Sequence, residues 1–229
     1  MSRTSIATDN FNRPAIGADW TQLNDGWGSI ATVSSLYFMK AGNGDPTAGT
    51  EGAAVWAGTG TFADDQYASA VLVTLEWQSG KNYTIGVICR ASTDTNANRD
   101  YYWAGVAHDN SASPYTTMFG KVVNGTTTTF YEATAAWAVN DRIELECEGT
   151  TIRVLKNGVA LGGSFTTTDS AIASGKPGIM AGGTTTTQGD NWDGGSLLGT
   201  SPAGADTTTT GLTDTIRPVS VSLSIAESG

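Results

Sequence analysis

The 229-residue chain carries one histidine and two cysteines. A lone imidazole excludes any metal centre built on several histidines, and it leaves His108 as the single base for a Ser-His-Asp arrangement. Asp109 adjoins His108, and neighbouring residues of extended backbone point apart, so a surface histidine beside a turn is expected. Cys89 and Cys147 lie in apolar alternating runs with no Cys or His at metal-ligand spacing. Buried free thiols are expected there, with a disulfide as the alternative. Basic residues are scarce: 12 Lys and Arg stand against 22 Asp and Glu, a formal net charge of −10. That balance excludes a protein that tracks nucleic-acid phosphates or lies on an anionic membrane, since both need Lys and Arg. No run approaches the ~18 consecutive apolar residues of a membrane span. The first ten residues show no apolar signal core, so neither membrane insertion nor Sec-type export is expected, which favours reduced thiols. No G-x-S-x-G elbow, P-loop or G-x-G-x-x-G occurs between a strand and a helix, and no window shows a helical stripe.

What the chain has instead is short alternating runs broken by Gly, Asn, Asp and Thr. The clearest is residues 141–161. Ile143, Leu145 and Cys147 fall on one face of a strand, and Glu144, Glu146 and Glu148 on the other, which reads as a half-buried strand with a solvated acidic face. Gly149 breaks the pattern, Ile152 and Val154 resume it, and Asn157-Gly158 supplies the positive-φ pair of a type I′ hairpin turn. Residues 68–77 form a strand apolar on both faces, and 83–90 and 101–108 alternate as strands do. With 29 glycines and many threonines, the fold class is all-β: two packed antiparallel sheets of about twelve to fifteen strands. Thr runs at 126–129 and 184–187 fit hairpin arms or loops. A third run, at 207–210, belongs to a change of composition. Residues 199–214 read as a Gly/Ser/Thr/Ala/Asp-rich linker, after which Val219, Val221, Leu223 and Ile225 alternate with serines in a C-terminal extension strand. The division expected is a domain over 1–198 and a linker with a terminal β-arm over 199–229. A short strand on a tether is not stable alone, so it docks on its own domain or on the sheet edge of another copy.

Several motifs in order resemble the concanavalin-A-like lectin/glucanase jelly rolls, including laminin-G-like modules. They are Asp9, Phe11 and Arg13 spaced D-x-F-x-R, Gly17 with Trp20, and Trp27 with Ile30. They continue with Val87–Arg90 before the aromatic strand Tyr101, Tyr102, Trp103, then residues 141–159 with their N-G turn, Gly175 to Ile179, and the closing Asp190, Trp192 and Asp193. The resemblance covers about residues 6–198 and implies a sandwich whose first and last strands lie side by side. It also implies a structural calcium near those strands, with Asp9, Asp190 and Asp193 as the matching carboxylates and turn capping as the other reading. Glucanases of this superfamily carry an E-x-D-x-E or E-x-D-x-x-E run whose outer glutamates are nucleophile and acid/base. Glu144, Glu146 and Glu148 match that run only in part, and Gly149 ends it in a turn, so no catalytic role is expected and Glu144→Gln is expected to leave the protein intact.

Aromatic residues are the stronger signal, because flat rings stack on the apolar faces of sugars. In Tyr101-Tyr102-Trp103 the middle ring points opposite to its neighbours. Arg90, Tyr102 and Tyr115 are the candidate glycan-binding patch on a concave face, and core packing is the alternative for each. The whole is similar to accessory virion proteins of tailed bacteriophages, such as head decoration proteins, head fibres or tail adhesins. The expectation is a non-enzymatic structural protein of a virion surface, with other virion proteins, copies of itself and host surface glycans as partners. An extracellular glycan-binding lectin module is the rival reading, and a glucanase a more distant one.

Overall fold

Extended backbone runs from one end of the described chain to the other. The computed structural model describes residues 2–23, 29–33, 36–40, 51–75, 83–108, 115–182 and 188–198. The expected tail strand with Val219, Val221, Leu223 and Ile225 lies outside these residues, as do Trp27, Trp77, Asp109, the Thr runs at 184–187 and 207–210, and the side chain of His108. The strands are β1 (Ser2–Asp9), β2 (Trp20–Gln22), β3 (Ser29–Val33), β4 (Leu36–Lys40), β5 (Glu51–Trp56), β6 (Gln66–Thr74), β7 (Tyr83–Ala91) and β8 (Tyr101–His108). They continue with β9 (Thr116–Val123), β10 (Thr126–Thr134), β11 (Arg142–Glu148), β12 (Thr151–Lys156), β13 (Val159–Ala160), β14 (Thr166–Thr168), β15 (Lys176–Gly182) and β16 (Gln188–Leu198). Two single-turn 3-10 helices, Asn96–Asn98 and Gly163–Phe165, are the only helical pieces among the described residues.

The strands form two antiparallel sheets. One runs β13-β12-β11-β6-β16-β4-β3, with β1 added beside β16 and β14 beside β12; the other runs β10-β9-β8-β7-β15-β5-β2. This is the expected all-β jelly-roll sandwich. The first and last strands pair directly, from Ser2 opposite Leu198 to Asp9 opposite Trp192. The hairpin turns follow their residues: Asn157 and Gly158 hold φ of 52° and 79°, and Asn124 and Gly125 hold 47° and 70°, the positive pairs of a I′ geometry.

Period-2 alternation places the core. From the nine-stranded sheet Ala68, Ala70, Leu72, Ile143, Leu145, Cys147, Ile152, Val154 and Trp192 turn inward. From the seven-stranded sheet Trp56, Ile85, Val87, Cys89, Tyr102, Ala104, Val106, Phe119 and Ile179 meet them. Near β16 the centre is aromatic. The Trp20 ring stands edge-on to Trp56 at 5.3 Å and to Trp192 at 4.8 Å, and Trp56 stacks on Trp192 at 5.4 Å. The Trp192 indole donates to the Gly178 carbonyl at 3.1 Å, bonding β16 to the facing sheet. Gly178 is required at that crossing, because a Cβ there would come within 2.2 Å of the Ala54 carbonyl.

Trp192 is 1 % exposed and packs on both other rings, so Trp192→Ala should lower the unfolding free energy by about 3–5 kcal/mol. The check is the urea midpoint at unchanged m-value; a shift within error would contradict the aromatic centre.

Candidate functional site

The D-x-F-x-R spacing is a clamp. At the end of β1 the chain leaves one sheet for β2 in the other, and the turn is organised by a single carboxylate. Asp9 Oδ1 accepts from the Phe11 amide at 2.7 Å and from Arg13 Nη1 at 2.8 Å; Oδ2 accepts from the Trp20 indole at 2.6 Å and from Arg13 Nη2. Arg13 also reaches the Ile16 carbonyl through Nε at 2.9 Å, while its own carbonyl accepts from the Thr32 hydroxyl at 2.9 Å. Phe11 sits at φ 50° and is fully buried. A bulky residue in that region is strained, and such strain persists only where surrounding contacts over-determine it.

Beside this turn opens a cleft of about 540 Å³ lined by Thr8, Asp9, Asn10, Arg13, Asp19, Trp56, Arg142, Asn191, Trp192 and Asp193. Trp56 and Trp192 are its aromatic members, and the other lining residues are polar or charged. Arg142 Nη1 bonds the Ser69 hydroxyl at 2.8 Å and the Asn191 carbonyl at 3.1 Å. Asn191 holds φ 48° and is exposed, and Asp19 is exposed with its carbonyl fixed by the Ala57 amide at 2.7 Å and the Gly58 amide. Asp193 accepts from Ser5 at 2.6 Å and Tyr67 at 3.0 Å. Burial, with the Asp193 carboxylate beside it, pushes the Tyr67 hydroxyl up to about 12.

Of the three carboxylates expected at a calcium, Asp9 and Asp193 are therefore already occupied by protein donors, and Asp9 faces a guanidinium. Calcium asks for six to eight oxygen ligands, and the described residues contain no group of three or more His, Cys, Asp or Glu placed to hold a metal. The residues present do not fit that ion. Asp190 differs: its Oδ1 is buried without a hydrogen-bond partner.

Of the three residues expected as an open glycan patch, Arg90 and Tyr102 are buried and Tyr115 is half-buried. Tyr102 points into the core between the sheets, its hydroxyl donating to Asp169 Oδ1 at 2.7 Å and accepting from the Ile172 amide at 3.1 Å. Arg90, 2 % exposed and at φ 51°, donates to the Asp64 carbonyl at 2.8 Å and the Ile172 carbonyl at 3.2 Å. Arg90 and Tyr102 thus meet at the Ile172 main chain. Tyr115 stands at the opposite end of the β8–β9 hairpin, bonding the Leu75 carbonyl at 2.9 Å. Burial acts to raise the Asp169 carboxyl, but hydrogen bonds from Lys121 and Tyr102 outweigh it and hold the group below its usual range.

Alternation required Tyr101 and Trp103 to face the other way, and they do. With Leu23, Ala53, Val55, Ile88, Val122 and Met180 they form a second apolar cluster on the outer face of the seven-stranded sheet, both rings 3 % exposed. The signal was present in runs such as Val87-Ile88-Cys89, apolar on consecutive residues and so on both faces. The cleft residues Asn10, Asp19, Arg142 and Asn191 carried no comparable pattern, because they come from four separate segments.

The acidic run corrects the expectation of a solvated face. Glu144 and Glu146 are 2 % and 3 % exposed. Arg3 from β1 donates to Glu144 Oε2 and to Glu146 Oε1, the latter at 2.6 Å and 3.0 Å. Arg153, directly opposite Glu146 in the β11–β12 ladder, takes Glu146 Oε2 and reaches Glu148 at 3.2 Å, and the Gly158 amide takes Glu144 Oε1. Each oxygen of Glu144 and Glu146 is engaged. Replacing Glu144 would remove a partner of the half-buried Arg3 guanidinium and of the Gly158 amide, so the substitution expected to be silent touches structural contacts.

Burial, foremost, and the nearby Asp9 carboxylate raise the Asp190 carboxyl, while the Asn191 amide opposes them. An acid raised on folding lowers stability as pH rises from its unfolded value near 3.8 through its folded one. Asp190→Asn should therefore raise Tm at pH 7 and lose that advantage towards pH 3. Thermal melts of both proteins across this range check it; an advantage independent of pH would contradict the assignment.

No protein-family model and no curated protein matches this chain. Solved structures do. A carbohydrate-binding module, CBM66, from Bacillus subtilis aligns with TM-score 0.53 and 16 % identity over 76 % of this chain and 95 % of its own. A B. subtilis protein of unknown function with a galectin-like fold aligns at TM-score 0.53 and 10 % identity, covering 85 % and 97 %. A prokaryotic β-1,3-1,4-glucanase (lichenase) from a mouse hindgut metagenome aligns at TM-score 0.53 and 10 % identity, covering 85 % and 100 %. At these identities the likeness is one of fold, and the fold is a two-sheet jelly-roll sandwich.

Proposed function

We propose that this protein is a non-catalytic carbohydrate-binding module whose glycan site is the cleft beside the Asp9 turn. The observation that carries the reading is the cleft's composition: Thr8, Asn10, Asp19, Arg142 and Asn191 line it together with Trp56 and Trp192. Sugar hydroxyls donate and accept together, which suits planar amide, carboxylate and guanidinium groups. The volume lies within the ordinary range of small-ligand sites, about 300–1,000 Å³. The carbohydrate-binding module among the solved neighbours supports it.

Two alternatives draw less support. Retaining glycosidases need two carboxyl groups roughly 5–5.5 Å apart and free to act, whereas Glu144 and Glu146 are held by Arg3, Arg153 and the Gly158 amide. A place on a virion surface, expected from the sequence, has no counterpart among the solved structures named above, and glycan binding stands without it.

Laminarin, agarose and a β-1,3-1,4-glucan, each titrated calorimetrically, test the reading. Binding to at least one without release of reducing ends is expected. Asp19→Ala and Asn191→Gly, the glycine keeping the positive φ, should each weaken that binding about tenfold, or about 1.4 kcal/mol, at unchanged Tm. No retention of any of the three by the native protein, or equal binding by both variants, overturns it.

A further inference from the structure

We propose that Cys89 and Cys147 join as a disulfide between the two sheets when the chain folds in the presence of a low-molecular-weight disulfide. Cys89 lies on the inner face of β7 and Cys147 on the inner face of β11, strands of opposite sheets whose Cα atoms approach within 8 Å. Both thiols are fully buried in the same core cluster. The Cys89 sulfur lies 3.5 Å from the carbonyl of Leu145, two residues before Cys147 on β11, so it already spans the gap between the sheets. A disulfide needs Cα atoms about 4.4–6.8 Å apart, and β7 and β11 are strands that hold Cα pairs within 8 Å of one another. The chain has no third cysteine, so one connectivity exists.

Other roles for the pair fit less well. A reactive thiol needs an exposed, electropositive setting, whereas here burial, with the influence of Cys147 added to it, pushes the Cys89 thiol up. A metal would need more ligands, and no cluster of three stands among the described residues. An inert buried pair is oxidised most readily before the core closes. One Cys thiolate attacks oxidised glutathione, forming a mixed disulfide and expelling glutathione thiolate; the second Cys thiolate then attacks the protein sulfur and expels the other glutathione. The two cysteines lose two electrons and two protons, and oxidised glutathione is reduced to two thiols.

The full chain is unfolded in urea and refolded with either a glutathione redox buffer or dithiothreitol. The expected oxidised product is a monomer lighter by two hydrogens, unlabelled by maleimide in denaturant, whose digest contains the Cys89 peptide linked to the Cys147 peptide. Its Tm should exceed that of the reduced form by roughly 10 °C, since the bond closes the long loop 90–146, and Cys147→Ala should abolish the difference. If that variant does not fold, the intact mass and linked peptide decide alone. Recovery of two free thiols, of glutathione adducts only, or of chains linked to one another overturns the proposal.

Discussion

The Asp9 carboxylate is the point at which the two sheets become one body. Pairing of β1 with β16 finishes the nine-stranded sheet, and the chain must then cross to the seven-stranded sheet within a dozen residues. Four hydrogen bonds to one buried group set that crossing: two from Arg13, one from the Phe11 amide, one from the Trp20 indole. They hold Phe11 in a conformation it would not adopt in a free chain. They also bring Trp20 onto Trp56 and Trp192, which belong to different sheets. The proposed glycan cleft depends on the same turn, since Thr8, Asp9, Asn10, Arg13 and Asp19 of its lining belong to the turn or flank it.

The sandwich has unusual outer faces. On the nine-stranded sheet Glu144 and Glu146 are enclosed by Arg3 and Arg153, with Tyr67 against Arg3 at 5.1 Å. Such a network adds little net stability over an apolar surface, yet loss of one partner leaves a charge stranded, so it specifies register more than it strengthens the fold. Arg3 reaches Glu144 and Glu146 only if β1 is paired as observed; a one-residue slip would turn it to the other face. On the seven-stranded sheet the outer face is apolar and buried, which makes this sheet hydrophobic on both sides in the manner of a central layer.

Strand periodicity, the N-G turns, the all-β class and the pairing of the terminal strands were all legible in the residues or in the motifs they compose. These are local properties: alternation follows from a two-residue repeat, and positive φ at Asn-Gly follows from sterics. The D-x-F-x-R spacing was visible as a pattern, but its role as a clamp was not, because its third partner, Trp20, lies beyond any regular repeat. Alternation at Tyr101-Tyr102-Trp103 showed that the rings oppose one another without showing which faced the core, since the pattern is symmetric under exchange of faces.

The burial of Glu144 and Glu146 shows the same limit from the electrostatic side. As residues they belong on a wet surface; Arg3, more than 140 positions away, makes a buried place tolerable. The proposed cleft and the approach of Cys89 to Cys147 likewise join segments distant in the chain. By itself, then, the sequence determined which stretches are strands, where they turn and which residues share a face, because each of these depends on near neighbours. Which face is inward, which charges are enclosed and which side chains converge on a site were decided by the tertiary structure alone, because those outcomes depend on partners that only the packing of the two sheets brings within bonding distance.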